Sequence, residues 1–211
     1  MTIYAVPSYR QAVALFVPVE SVGRSLYANG VSVDLAETMQ TVYRCEIQTA
    51  PLELADRAEW RAFRNKLRGG LNLFSAYDAS RKNPRNYPDA TSAADISGAW
   101  DGTATVTTLG AAGALTLGGL PANYVIKADD AIGLEEGGRY DYYAAVADAT
   151  ANGSGAVTVT VSPFLRTGIF TTAAVARLWR PVATFVLDPG SWQEEGGVSP
   201  TPISFVGTQR I

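Results

Sequence analysis

Histidine is absent from this 211-residue chain, and cysteine occurs once, as Cys45. Without an imidazole, the chain lacks the usual general base at neutral pH, the Ser-His and Cys-His nucleophile pairs, and nearly all zinc and iron sites. A single cysteine also excludes an intrachain disulfide and a thiolate metal cluster. Cys45 lies in an apolar strand-like run, where we expect a buried, unreactive thiol. The sequence therefore predicts no catalytic, cofactor-binding or metal-binding residues, and a protein that is not an enzyme.

Long apolar runs are missing as well. No segment approaches the roughly 18–20 residues of a membrane-spanning helix, and the first residues have neither the basic nor the apolar region of a signal peptide. We therefore expect synthesis in a cytoplasm and no membrane partner. The net charge of −3 argues against nucleic-acid or membrane-surface binding by the chain as a whole.

One amphipathic helix is predicted, over residues 52–68. Four apolar residues share one face of its 3.6-residue wheel, and we expect this face to enter a core: they are Leu52, Trp60, Phe63 and Leu67. The pair Gly69 and Gly70 should end the helix, because glycine adopts the left-handed conformation of a helix terminus without a Cβ penalty.

Four arginines form a second line along the same helix, at spacings of i, i+4, i+7 and i+11. We call Arg57, Arg61, Arg64 and Arg68 the arginine row. Like charges on one helical ridge repel by tenths of a kcal/mol per close pair, so an acidic neighbour would favour the arrangement. Three interpretations stay open: a solvated helix face, salt bridges between subunits or domains, and phosphate contacts, which the arginine fork suits. We place the row at a subunit boundary or partner interface.

Most of the remaining chain reads as β-structure. Residues 24–34 form the clearest hairpin, because Asn29-Gly30 supplies the positive φ angles of a two-residue turn and so sets Leu26 opposite Val33. The other strands of a main body are predicted at 12–18, 41–49, 71–77, 174–179, 182–187 and 203–206.

A segment of low charge, rich in Gly, Ala and Thr, interrupts this body. It has five short strands, predicted at 103–107, 114–117, 124–127, 140–146 and 156–162, which suggest a small barrel or sandwich. The predicted fold is thus mainly β, with an α+β body. Residues 1–97 and 168–211 form a β-sandwich with one helix, and residues 98–167 form an inserted peripheral five-stranded module.

Two sets of polar side chains remain as site candidates. Tyr140, Tyr142 and Tyr143 lie on one predicted strand, so some of them should face outward and offer a contact surface. Adjacent acids at 129–130, 135–136 and 194–195 are best explained as solvated turns. The alternative is a hydrolase in which Asp129 and Glu135 act as an acid and base pair.

The helix and the strand after it, EWRAFRNKLRGGLNLF at 59–74, resemble a signature of distal tail and related minor tail proteins of siphophages and gene transfer agents. So does the later course of the chain, with GLP at 119–121, IKADD at 126–130, AD at 147–148, GAV at 155–157 and SPFLR at 162–166. These non-catalytic patterns span roughly residues 40–170.

This resemblance implies a structural virion component at the tail tip, made in a bacterial host. Its body of β-sandwich plus helix would form a homohexameric ring that joins the tail tube protein to the baseplate hub protein. The inserted module would face outward, as an oligonucleotide/oligosaccharide-binding-like barrel or a carbohydrate-binding module. Its excess of acids argues against sequence-specific nucleic-acid binding, whereas cell-surface carbohydrate stays open. The alternatives are a receptor-recognition module and another ring-forming tail or neck protein, such as a tube or stopper protein.

Overall fold

A computed structural model describes residues 1–7, 12–26, 33–197 and 199–211, with the side chains of all of these except 21–26 and 33–40. The fold is mainly β, as predicted, with an α-helix, a large sheet and a closed barrel. Its elements in chain order are β1 (Ile3–Ala5), β2 (Ala12–Leu26), β3 (Val33–Thr49), α1 (Leu54–Leu67), β4 (Leu73–Tyr77), β5 (Thr103–Leu109), β6 (Ala114–Gly118), β7 (Val125–Ile126), β8 (Ala131–Glu136), β9 (Arg139–Ala145), β10 (Ala149–Thr150), β11 (Val157–Ser162), β12 (Val175–Arg177), β13 (Val182–Leu187), β14 (Gln193–Glu194) and β15 (Ile203–Gln209).

The body contains a sheet with the strand order β1-β4-β13-β15-β3-β2, and β14 adds to β15. β1 is parallel to β4, and the other pairs are antiparallel. β1 and β2 are therefore the edge strands of this sheet. β15, near the C-terminus, lies between β13 and β3, which come from the C-terminal and N-terminal parts of the chain.

β2 and β3 form one continuous two-stranded ribbon, where the sequence predicted separate short strands. Pairing runs from Ala12 opposite Thr49 to Leu26 opposite Val33, with two register shifts between Val19 and Val22. The predicted pair of Leu26 with Val33 is confirmed, whereas the Asn29-Gly30 turn lies outside the described residues. The sequence predicted a break at 19–23 because the alternation of apolar and polar residues fades there. In the structure, backbone pairing continues through the register shifts.

Helix α1 packs its apolar face on one side of this sheet. The four predicted core residues are all buried, and the ring centroids of Trp60 and Phe63 lie 6.1 and 6.2 Å from that of Phe205. The helix ends as predicted, but the left-handed conformation begins at Arg68 (φ 50°) and continues through Gly69 and Gly70. Cys45 is buried in the same core, where burial raises the pKa of its thiol.

The inserted module is a closed barrel with the order β11-β6-β5-β12-β8-β9. It has six strands rather than five, because β8 and β12 belong to it and the strand predicted at 124–127 does not. β12 closes the barrel by pairing Ala176 with both Ala104 and Leu134. β12 was predicted as part of a body strand, so the module extends beyond its predicted end at 167. Sequence reasoning also missed β8, and it placed a barrel strand at 124–127, where β7 instead pairs with β10 outside the barrel.

Barrel and body are joined through side chains. The barrel has its own hydrophobic core, but Ala131 and Tyr142 of barrel strands are packed in the core of the body. The Tyr142 ring lies 4.8 Å from Phe16 and 4.9 Å from Tyr43, both edge-on. The module is thus seated on the body by aromatic contacts.

Candidate interaction surfaces

The arginine row faces the C-terminal part of its own chain. Arginines that are paired there are not available to another subunit. Arg57 is only 1% exposed. Its guanidinium donates to the carbonyl oxygens of Gly197 at 2.8 Å and Glu195 at 3.1 Å, and to the Glu194 carboxylate at 3.3 Å. A buried guanidinium needs such acceptors because its desolvation is otherwise costly. Arg57 therefore stabilises the loop after β14 and is closed to other subunits.

Glu194 also neutralises the second arginine of the row. Arg61 contacts its Oε1 through Nη2 at 2.7 Å and through Nε at 2.8 Å. Partial burial raises the pKa of Glu194, but the hydrogen bonds and charges of Arg61 and Arg57 outweigh burial and lower it from its ordinary value. Half of the row is therefore paired with an acid from the same chain.

Arg64 and Arg68 complete the row and have no salt bridge to any of the described residues. The Arg64 guanidinium lies 5.6 Å from the centre of the Trp192 ring, and this ring stacks on Phe205 at 4.8 Å. The two arginines line a cleft of about 360 Å³, which we call the Arg64–Arg68 cleft; its other walls come from Asn65, Gly69, Leu187, Asp188, Pro189, Gly190 and Trp192.

The tyrosines predicted to face outward are mostly inside. Tyr142 and Tyr143 are fully buried, and only Tyr140 keeps partial exposure. Successive side chains of a strand point to opposite faces, and on β9 both faces are covered. Tyr142 enters the core of the body and Tyr143 the core of the barrel. The prediction of an outward surface at these two residues is wrong, because both cores meet at this strand.

A buried ion pair lies where the barrel meets the body. Asp141 contacts Arg166 at 2.5 Å, and its two oxygens also accept from Tyr143 Oη and from Gln209 Nε2. Arg166 donates to the Thr41 carbonyl oxygen at 2.9 Å. Thr41 and Gln209 belong to the body, so this network crosses the junction. Sequence reasoning missed it because the residues are far apart in the chain.

The two acids of the hydrolase alternative, Asp129 and Glu135, each contact an arginine. Asp129 pairs with Arg81 at 3.2 Å, and Glu135 lies 3.5 Å from Arg177. Asp130 is buried rather than solvated, where burial raises its pKa, and it accepts from the backbone N–H groups of Arg85 and Lys127. Across the part of the chain that the structure describes, no group of three or more His, Cys, Asp or Glu is placed to hold a metal ion.

An exposed apolar line runs along edge strand β2. We call Val13, Leu15, Val17 and Val19 the β2 stripe; their exposed fractions range from 41% to 51%. The alternate residues Ala12, Ala14 and Phe16 enter the core. β2 is thus apolar on both faces, as in strands that are covered on both sides. The unbroken apolar run at 12–19 was the sequence signal for this surface.

Another cleft, of about 410 Å³, lies between the ribbon and the barrel. Among its lining residues are Glu20, Thr41, Thr160, Ser162 and Phe164. Phe164 is 60% exposed. The cleft thus combines an accessible aromatic ring with hydroxyl groups and a carboxylate.

Comparison with protein-family profiles and with curated protein sequences finds no match to this chain. Among the described residues, no helix has the length and apolar character to cross a membrane.

Proposed function

We propose that this chain is a structural, non-enzymatic subunit that assembles into a ring at the tip of a phage-type tail, as a distal tail protein. In this role six copies would join the tail tube protein to the baseplate hub protein in the virion, with the barrel at the periphery. Support comes from the sequence patterns at 59–74 and 119–166 and from the β2 stripe. The stripe is the observation that carries the proposal, since a two-faced apolar edge strand fits a strand that a second copy covers.

The energetics of the stripe agree with self-association that needs further contacts. Complete burial of a Val or Leu side chain contributes about 1.5–3 kcal/mol, and these four are already half buried. Covering them would therefore contribute about 3–5 kcal/mol per copy. Association costs roughly 4–15 kcal/mol, so the stripe would act together with other contacts in a closed ring.

The test places two charges on the stripe. We expect the Leu15→Lys/Val17→Lys variant to remain folded but to sediment as a monomer, because two lysines cannot be buried without acidic partners. Thr107→Lys, on an exposed position of the barrel strand β5, is the matched control and should leave the assembly intact. Analytical ultracentrifugation and electron microscopy of purified particles provide the measurement. A wild-type chain that is monomeric both alone and in particles would overturn the proposal.

A second function, carbohydrate binding at the cleft beside Phe164, is favoured by its exposed ring and hydroxyl lining. Aromatic faces offer apolar surface for sugar rings, while hydroxyl and carboxylate groups orient the sugar. A glycan array probed with the whole chain should give signals that Phe164→Ala removes. A blank array would leave the barrel as a spacer.

A further inference from the structure

Two arginines of the row, Arg57 and Arg61, are paired with a carboxylate, and the other two are not paired with one among the described residues. This difference suggests that Arg64 and Arg68 bind a carboxylate from another molecule. One carboxylate, that of Glu194, serves both Arg57 and Arg61. We propose that Arg64 and Arg68 form a docking site for a carboxylate side chain on an acidic segment of a partner protein, which enters the Arg64–Arg68 cleft beside Trp192.

The type of group that the site would bind is indicated by the contacts of Arg57 and Arg61 with the Glu194 carboxylate. Glu194 shows that a carboxylate fits between two arginines one helical turn apart, since Arg57 and Arg61 both reach its Oε1. Arg64 and Arg68 are also four residues apart, but Arg68 follows the last residue of α1 in a left-handed conformation. Their side chains therefore come together as walls of the Arg64–Arg68 cleft rather than along one helical ridge. Planar guanidinium groups pair with carboxylates through parallel hydrogen bonds, so the open pair offers the same type of recognition.

Arg64 is held in place before any ligand arrives. Its guanidinium lies over Trp192, which in turn stacks on the buried ring of Phe205. A side chain fixed in this way loses less conformational freedom on binding than a free arginine does. The apolar surfaces of Leu187, Pro189 and Trp192 would contact the aliphatic part of an incoming Glu or Asp side chain.

The charge of the cleft favours a carboxylate over a phosphate group. Two arginines and the Asp188 carboxylate line it, and their formal charges sum to one positive charge. A carboxylate carries one negative charge, whereas a phosphate monoester carries about −1.5 to −2 near neutral pH. Asp188 accepts from Thr208 Oγ1 at 2.8 Å, which fixes its position at the wall of the cleft.

This site is independent of self-association through the β2 stripe. The stripe lies on the sheet face opposite the core, whereas the Arg64–Arg68 cleft is built from α1 and the loop after β13 on the other face. A partner protein could therefore dock in the cleft while the stripe is covered, and the two proposals can fail separately.

The test is a nuclear magnetic resonance titration of the whole chain at low salt. The probes are a terminally blocked peptide with two glutamates separated by glycine, the same peptide with glutamines, and inorganic phosphate. We expect the glutamate peptide to shift the Nε–H signals of Arg64 and Arg68 and the indole N–H signal of Trp192 in a saturable manner. Arg68→Gln should weaken this binding about tenfold, because a charge-assisted pair is lost.

Arg139→Gln, at the exposed start of β9, is the matched control and should bind as the wild type does. Arg64→Lys keeps the charge and should still bind more weakly, since lysine lacks the planar fork. No saturable shift with the glutamate peptide would overturn the proposal. Equal binding of the glutamine peptide, equal weakening by Arg139→Gln, or tighter binding of phosphate than of the glutamate peptide would overturn it as well.

Discussion

At the scale of single residues, Arg57 shows how one row of identical side chains divides into different roles. It lies on the same helical ridge as Arg61 and Arg64, with Arg68 directly after the helix. Only Arg57 is buried, enclosed by Glu194 and by carbonyl oxygens of the following loop. Its side chain thus fixes a segment that has little regular structure of its own.

Removing the Arg57 side chain should lower the free energy of unfolding more than removing the Arg61 side chain. We expect Arg57→Ala to lower the free energy of unfolding by about 2–4 kcal/mol, because buried acceptors lose their donor. Arg61→Ala should cost less than about 1 kcal/mol, because this half-exposed pair is screened by solvent. Urea denaturation of both variants measures the difference, and equal losses would contradict the assigned roles.

The Glu194 carboxylate predicts a dependence on pH. Its folded-state pKa lies below the ordinary value of 4.5, so its stabilising effect is present above about pH 4.5 and is lost as the pH falls through the folded-state pKa. Glu194→Gln should therefore be less stable than the wild type near pH 7, and the gap should close in acid. Chemical denaturation from pH 3 to 7 follows this gap, and a gap independent of pH would contradict the prediction.

At the scale of elements, β15 crosses the body at a point of close packing. It lies between β13 and β3, and its Gly207 faces the ring of Phe74. A Cβ atom at this position would lie 2.5 Å from Phe74 Cζ and 2.9 Å from the Val186 carbonyl oxygen. Glycine is needed here because ring and backbone leave no room, not because of an unusual φ angle.

Gly207→Ala should therefore strain the sheet. We expect a loss of about 1–3 kcal/mol in the free energy of unfolding, since an added methyl group in a filled core forces neighbours to move. Gly153→Ala, in a loop where a Cβ would meet no atom within 4 Å, is the control and should change stability little. Thermal unfolding of both proteins distinguishes them; equal melting temperatures would show that β15 can shift without cost.

At the scale of the whole molecule, the barrel and the body are joined by side-chain contacts as well as by the backbone. Tyr142 enters the core of the body, and Asp141 joins Arg166 to Gln209 across the junction. A buried charge of this kind is tolerated because its partners satisfy it. We therefore expect the wild-type chain to unfold in a single cooperative transition.

Asp141→Ala should uncouple the two parts. Removal of the carboxylate leaves the Arg166 guanidinium without its counter-charge, which typically costs about 3–5 kcal/mol. Because the loss falls on the junction, we expect calorimetry to resolve two transitions in the variant. Asp101→Ala, in a surface turn of the barrel, should retain a single transition. One transition in both variants would show that the aromatic contacts alone couple the parts.

Local patterns in the sequence determined the mainly β fold, the position of the helix and its buried face, the burial of Cys45 and the pairing of Leu26 with Val33. Each depends on periodicity or on turn chemistry within a few residues, which a sequence displays directly. An inserted small barrel or sandwich was predicted for the same reason, from its alternating strands, and the structure shows a barrel.

Only the tertiary structure decided how the barrel closes and which candidate residues remain accessible. β12 lies within the strand predicted at 174–179, but it belongs to the barrel rather than the body because it pairs with β5 and β8. Tyr142 and Tyr143 are both buried because two cores meet at β9. Arg57 is enclosed by a loop about 140 residues later in the chain, and contacts of that range depend on the folding of the whole chain rather than on any local pattern.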